Sequence, residues 1–164
     1  MPESRGGHVK PGAPRRQPVS IPTHLTAAMN AAVRLVLDEG LAHRFRRHEV
    51  AAAGLRAGLE AMSLEMFPDP SVWSNTVSCV RTPAHVEPDA VVRRMRDDHG
   101  ILIGTGLAEL RARTLRIGTM GITSTPPYVL PTLSALELTL RDLGFKADPG
   151  AGVAAAQRVF AEES

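Results

Sequence analysis

The stretch Thr114–Gly121, "TLRIGTMG", decides how the chain is read. Leu115 and Ile117 alternate with Arg116, the pattern of a strand with one face toward a core and the other away from it. Gly118 and Gly121 follow and mark a turn where backbone or ligand can approach closely. An arginine set among small residues is a candidate anion binder, because its planar fork can give a carboxylate or phosphate two parallel hydrogen bonds. The same local sequence also suits an edge-strand arginine in solvent, or one held in an intramolecular ion pair.

Outward from this strand the chain alternates between two periods. Upstream, Leu25, Met29, Ala32, Val33 and Val36 give a helical stripe over about residues 24–38, with Thr23 as N-cap and Gly40 just past the end. A second helix is expected over about 42–62. Its stripe is Leu41, Phe45, His48, Ala52, Leu55, Leu59 and Met62, the sharpest periodicity in the chain. "LEMF" (64–67) and "NTVSCVR" (75–81) read as strands, separated by a loop in which Trp73 serves as an anchor. "PDAVVRRMRDDH" (88–99) reads as a helix capped by Glu87, opened by Pro88 and stopped by Gly100. The strand "ILI" (101–103) precedes the loop "GTGLAELRAR" and the strand "TLRIG". A leucine-striped helix over about 128–143 and a short alanine-rich one over about 153–160 close the chain.

This order, α-α-β-β-α-β-β-α-α, implies an α+β fold: a small, mostly antiparallel sheet covered on one face by helices. The other sheet face is then free to meet a partner domain, and the alternation directs Arg116 to that face or to the strand's end. Residues 1–19, rich in Pro, Gly and Arg, read as a flexible or extended lead-in. Residues 20–146 read as the domain, and 147–164 as an extension.

Composition narrows the function classes. The chain has 164 residues, 43% hydrophobic but only 4% aromatic, so the core must be largely aliphatic. The net charge of +2 is too small an excess to imply nucleic-acid binding by itself. A single cysteine, Cys79, excludes an internal disulfide framework and reads as a buried thiol in an apolar strand. No run approaches the roughly 18 apolar residues of a membrane span, and no signal-like segment is present, so no membrane partner is expected and a cytoplasmic location is the default.

Other chemistry is sparse. "GTGLAELRART" lacks the third glycine and the following helix of a dinucleotide-binding loop. "HRFRRH" (43–48) is a dense basic run, but Glu49 and Glu60 dilute its field, and a solvated helix face is a better reading of it than a nucleic-acid patch. The histidines show no metal-ligand spacing with one another or with Cys79, and no nucleophile–base–acid set can be assembled. The residues themselves therefore give no catalytic group and no metal site.

The blocks "EGLAHRFRRHEVAAAGLRAGLEAMSLEMF", "SNTVSCVRTPAHVEPDAVVRRMRDDHGILIGTGL" and "TLRIGTMG", followed by a leucine-rich helix, resemble the C-terminal part of class V (fold type I) aminotransferases, over roughly residues 18–143. The nearest look-alikes are the alanine–glyoxylate and serine–pyruvate group. The resemblance implies a homodimeric, pyridoxal-phosphate-dependent family that moves an amino group from alanine or serine to glyoxylate or pyruvate. A large domain carries the Schiff-base lysine, and a small C-terminal domain closes over the site. It implies that Arg116 binds the substrate α-carboxylate. It also implies that Ser20, in "QPVSIP", replaces a threonine whose hydroxyl reaches the cofactor phosphate of the neighbouring subunit. Gln17 stands where that family has tyrosine, and Thr105 and Ala108 replace loop glycines. The chain has no Ser-x-x-Lys motif, and neither Lys10 nor Lys146 matches the Schiff-base position. The expectation is a substrate-clamping domain separated from its large domain and inactive alone. The alternatives are a subunit of a split enzyme, docking a lysine-bearing chain on the open sheet face, or a nucleic-acid module resting on "HRFRRH".

Overall fold

A computed structural model of the chain describes residues 22–163, which fall into two units. The first contributes α1 (Thr23–Glu39), in which Thr23 is already helical and the Thr26 hydroxyl donates to the Pro22 carbonyl at 3.3 Å. No residue of α1 is buried: Leu25, Met29 and Val33, the expected apolar stripe, are exposed.

The second unit, from Gly40, holds α2 (Leu41–Ala61), β1 (Val77–Arg81), α3 (Pro88–His99), β2 (Gly104–Thr105), β3 (Thr114–Gly118), α4 (Pro126–Asp142) and α5 (Ala151–Glu162). The fold is α+β, with a three-stranded antiparallel sheet in the order β1-β3-β2. The strand of the opening sequence motif is thus the central one. Ser78 faces Ile117, and Val80 faces Leu115 across the β1–β3 ladder. These four are buried on the helix-covered side. Cys79 and Arg116, paired on the opposite side, are only half-buried.

Two expected strands do not form as such. Residues 64–67 make only one isolated bridge, Met66 to Val80, because the Leu64 amide is still engaged by the Leu59 carbonyl where α2 ends. Residues 101–103 are not paired either. The Ile101 amide closes the C-terminus of α3 on the Met95 carbonyl, and Gly100 takes the left-handed conformation at φ +67° that this helix end needs. Sheet pairing begins one residue after this segment, at Gly104. Glu87 precedes α3, but its side chain makes no capping bond.

The core is aliphatic, as composition requires. Leu55 and Leu59 of α2, Val91 and Met95 of α3, and Leu133, Leu136 and Leu140 of α4 are essentially inaccessible, and they pack on Val80 and Leu115. The α2 stripe enters this core only from its middle. Leu41 and Phe45 remain 54% and 67% exposed, since the first two turns of the helix lie outside the buried region. The helix α5 packs along α2 at a crossing of small residues. A Cβ on Gly58 would collide with Leu133 Cδ1 and stand 2.9 Å from the Gly152 carbonyl; one on Gly152 would stand 3.1 Å from the Gly58 carbonyl. Glu137, buried in α4, accepts the Gly150 amide at 2.9 and 3.0 Å through its two oxygens and so fixes the entry to α5.

Gly58→Ala is expected to lower stability by about 1–3 kcal/mol, despite the better helix propensity of alanine, because the helices must move apart. Ser78 supplies the opposite case: its hydroxyl is buried and has no hydrogen-bond partner among the described residues. Ser78→Ala is expected to be neutral or to stabilise by about 1 kcal/mol. Urea unfolding of the two variants beside the parent checks both.

Candidate anion-binding site

Arg116 sits in the middle of β3, with Cys79 beside it on β1 and Gly104 on β2. Its Nε donates to the Thr105 carbonyl at 2.8 Å. That bond fixes the plane of the guanidinium. Among the described residues no carboxylate pairs with it, and Nη1 and Nη2 have no protein acceptor. The arginine is on the central strand rather than an edge, and among the described residues it is in no ion pair. A half-buried guanidinium with two open donors can take a planar anion end-on.

The glycines have different reasons from those the motif suggests. Gly121 is at φ +58°, which the turn after β3 requires. A Cβ on Gly118 would meet Met120 Cε at 3.3 Å, not the arginine. The glycine that borders Arg116 is Gly104 across the sheet, where a Cβ would stand 3.6 Å from Nη2. A larger side chain at 104 would fill the space beside the fork.

The remainder of "GTGLAELRART" is closed on itself. The Gly106 amide donates to the Thr114 carbonyl at 2.9 Å, and the Thr114 hydroxyl donates to the Leu110 carbonyl at 3.1 Å. A Cβ on Gly106 would collide with both Leu110 O and Thr114 Oγ1. Its glycine thus serves turn closure, and Thr105 offers the one carbonyl that Arg116 uses. Arg81, on the same open side as Arg116, is engaged elsewhere: Nε donates to Glu65 at 2.8 Å, and the guanidinium lies 4.9 Å from the centre of the Phe67 ring.

The basic run at 43–48 is also occupied. Arg46 pairs with Glu49 and Glu163, and the hydrogen bonds to these carboxylates raise its pKa. Arg47 Nη1 donates to the carbonyls of Gly121 and Ser124 at 2.6 and 3.1 Å. Phe45, expected on the packed stripe, is exposed. Trp73 anchors its loop: Nε1 donates to the Pro68 carbonyl at 3.0 Å, and Arg56 stacks 4.9 Å from the ring centre. Burial lowers the Arg56 pKa.

Cys79, expected to be buried, is half-buried on the open side of the sheet, because the β1 register places Ser78 and Val80 inward. Ser20, with Gln17 and Lys10, lies outside the described residues. Lys146, the one described lysine, is exposed in the segment between α4 and α5. Among the described residues no three His, Cys, Asp or Glu side chains group as a metal site would, and no described helix is long and apolar enough to cross a membrane.

No family model matches the chain. Among curated proteins, it is 36% identical over 149 residues to an uncharacterized aminotransferase of Methanocaldococcus jannaschii, covering 91% of this chain and 38% of that protein. It is 32% identical over 155 residues to the L-aspartate–glyoxylate aminotransferase of Paracoccus denitrificans, covering 94% and 38%. Its fold matches the crystal structure of pyridoxamine–pyruvate aminotransferase from Mesorhizobium loti with a TM-score of 0.88 at 30% identity, over 92% of this chain and 38% of that one. The chain thus spans less than two fifths of the length of these relatives.

The half-buried setting of Cys79 is checked by thiol titration. One thiol per chain is expected to react with a disulfide reagent without denaturant, more slowly than in urea.

Proposed function

The chain belongs to the class V aminotransferase family as a counterpart of its C-terminal domain, and on that footing we propose that Arg116 holds the α-carboxylate of a small amino acid or 2-oxo acid. The observation that carries this is the divided guanidinium. Nε is committed to the Thr105 carbonyl, while the two terminal nitrogens face the open side of the sheet with no competing carboxylate. A carboxylate met end-on would satisfy both. Each such charged hydrogen bond contributes about 1.5–3 kcal/mol. Fixing the carboxylate also fixes the direction of the substrate Cα–H bond, which is how a binding residue assists a proton transfer it does not perform.

Pyridoxal phosphate, when bound in this family, supplies the electron sink for amino transfer. The described residues contribute the carboxylate clamp and not the cofactor attachment. Amino transfer then requires a lysine-bearing large domain, whether joined to this chain or supplied by a separate one. The half-exposed sheet face around Cys79 and Arg116 is where such a domain would deliver substrate and cofactor. Ser20 is proposed to reach the cofactor phosphate of a neighbouring subunit in the resulting dimer. The alanine or serine to glyoxylate or pyruvate chemistry of the family is the activity proposed for that assembly. The nucleic-acid reading loses support, because Arg46 and Arg47 are spent on Glu49, Glu163 and the turn after β3.

Titration of the isolated chain with pyruvate or L-alanine, followed by its backbone amide resonances, tests this. Saturable shifts are expected in the parent. They should be lost in Arg116→Ala and weakened about tenfold or more in Gly104→Val, which crowds the fork. Equal binding by Arg116→Ala would refute the assignment. Mixed with pyridoxal phosphate and freed of excess by gel filtration, the chain alone is expected to retain no cofactor absorbance and to show no turnover.

A further inference from the structure

Two adjacent residues of α2 are spent on a single peptide segment that the sheet does not hold. The Gly121 amide donates to His48 Nε2 at 3.1 Å, and the Gly121 carbonyl accepts Arg47 Nη1 at 2.6 Å. Arg47 Nη1 also reaches the Ser124 carbonyl at 3.1 Å. On its other side the His48 ring meets the Arg44 carbonyl at 2.7 Å through Nδ1. A carbonyl can only accept, so Nδ1 carries the hydrogen and Nε2 offers its lone pair. The geometry is that of one neutral tautomer. The segment so gripped is the turn directly after β3. It is tied back to the start of β1 by the Thr119 amide on the Thr76 carbonyl at 2.8 Å, and to itself by the Ser124 hydroxyl on the Thr119 carbonyl at 2.6 Å.

The placement of this grip is informative. The last paired residue of β3 is Gly118, two positions after Arg116. Beyond it, α2 adds a hold on Gly121 to the Thr119–Thr76 tie, through side chains that precede the first buried residue of the helix. We infer that His48 is a positioning residue for Arg116: with Arg47 it latches the turn at Gly121 to α2 and so fixes the outgoing end of the strand that carries the anion-binding fork. This inference rests on the reading of Arg116 as the carboxylate clamp. The latch needs the Nε2 lone pair, because that lone pair is what accepts the Gly121 amide.

The test compares parent, His48→Phe and His48→Gln by hydrogen exchange and pyruvate titration on the whole chain. In the parent, the Gly121 amide is expected to be protected from exchange. His48→Phe, with no lone pair, is expected to lose about tenfold in that protection at any pH. It should also speed exchange of the Arg116 Nε–H and weaken pyruvate binding about tenfold, because small displacements of a positioning contact are costly. His48→Gln, whose Oε1 can accept the amide, is expected to restore both. Unchanged Gly121 protection in His48→Phe overturns the inference. So does a loosened Gly121 with Arg116 exchange and pyruvate binding unchanged, which would make the latch merely structural. If the parent binds no pyruvate, the carboxylate reading of Arg116 fails. The positioning role is then judged on Arg116 Nε–H exchange alone, where equality of parent and His48→Phe overturns it.

Discussion

Antiparallel pairing on both sides of β3 is the constraint from which the rest follows. A central strand has its backbone donors and acceptors satisfied by two neighbours, so its register is fixed, and with it the face on which each side chain emerges. Leu115 and Ile117 are thereby committed to the helices, and Arg116 to the open side. The same pairing brings Thr105 within reach of Arg116 Nε. A carbonyl acceptor there holds the guanidinium without neutralising it. A carboxylate in the same place would have held it equally well and closed it to a ligand.

The helices answer a different demand. A core with few aromatic rings must reach its density with aliphatic side chains and close backbone approaches. Leu55, Leu59, Leu133, Leu136 and Leu140 fill the space over the sheet. Where α5 crosses α2, Gly58 and Gly152 let the backbones come nearer than any side chain would allow. Phe160 takes up the room beside Gly54 in the same seam. The outcome is a layer that buries one sheet face fully and leaves the other half-covered, with Cys79, Arg116 and Gly118 on it. Class V aminotransferase relatives share this fold, and the proposed carboxylate clamp lies on the surface it leaves open.

The elements with long, regular periods were legible from the residues alone. The second, third and fourth helices fall close to their expected spans, and the alternation around Arg116 holds. The short apolar runs at 64–67 and 101–103 have strand-like sequences, but helix termini claim backbone groups there instead: Leu59 takes the amide of Leu64, and Met95 that of Ile101. The stripe of α2 was followed through Leu41 and Phe45, but periodicity does not say how far the neighbouring layers extend. Cys79 was assigned to the interior because its strand is apolar, although strand parity relative to Val80 sends it the other way.

What the sequence determined by itself is local: the helical stripes, the α+β class, the aliphatic core, and an arginine turned away from the residues that pack. These follow from spacing and composition, which act between near neighbours on the chain. What only the tertiary structure decided is which distant groups surround that arginine. Gly104 borders the fork, Thr105 fixes its plane, and His48 holds the turn that follows. The partner of Gly121 lies 73 positions away from it in the chain, and no periodicity encodes such a pairing. It exists because the ladders set the register of β3 and α2 packs across the helix-covered face, and only these place an imidazole lone pair opposite one backbone amide.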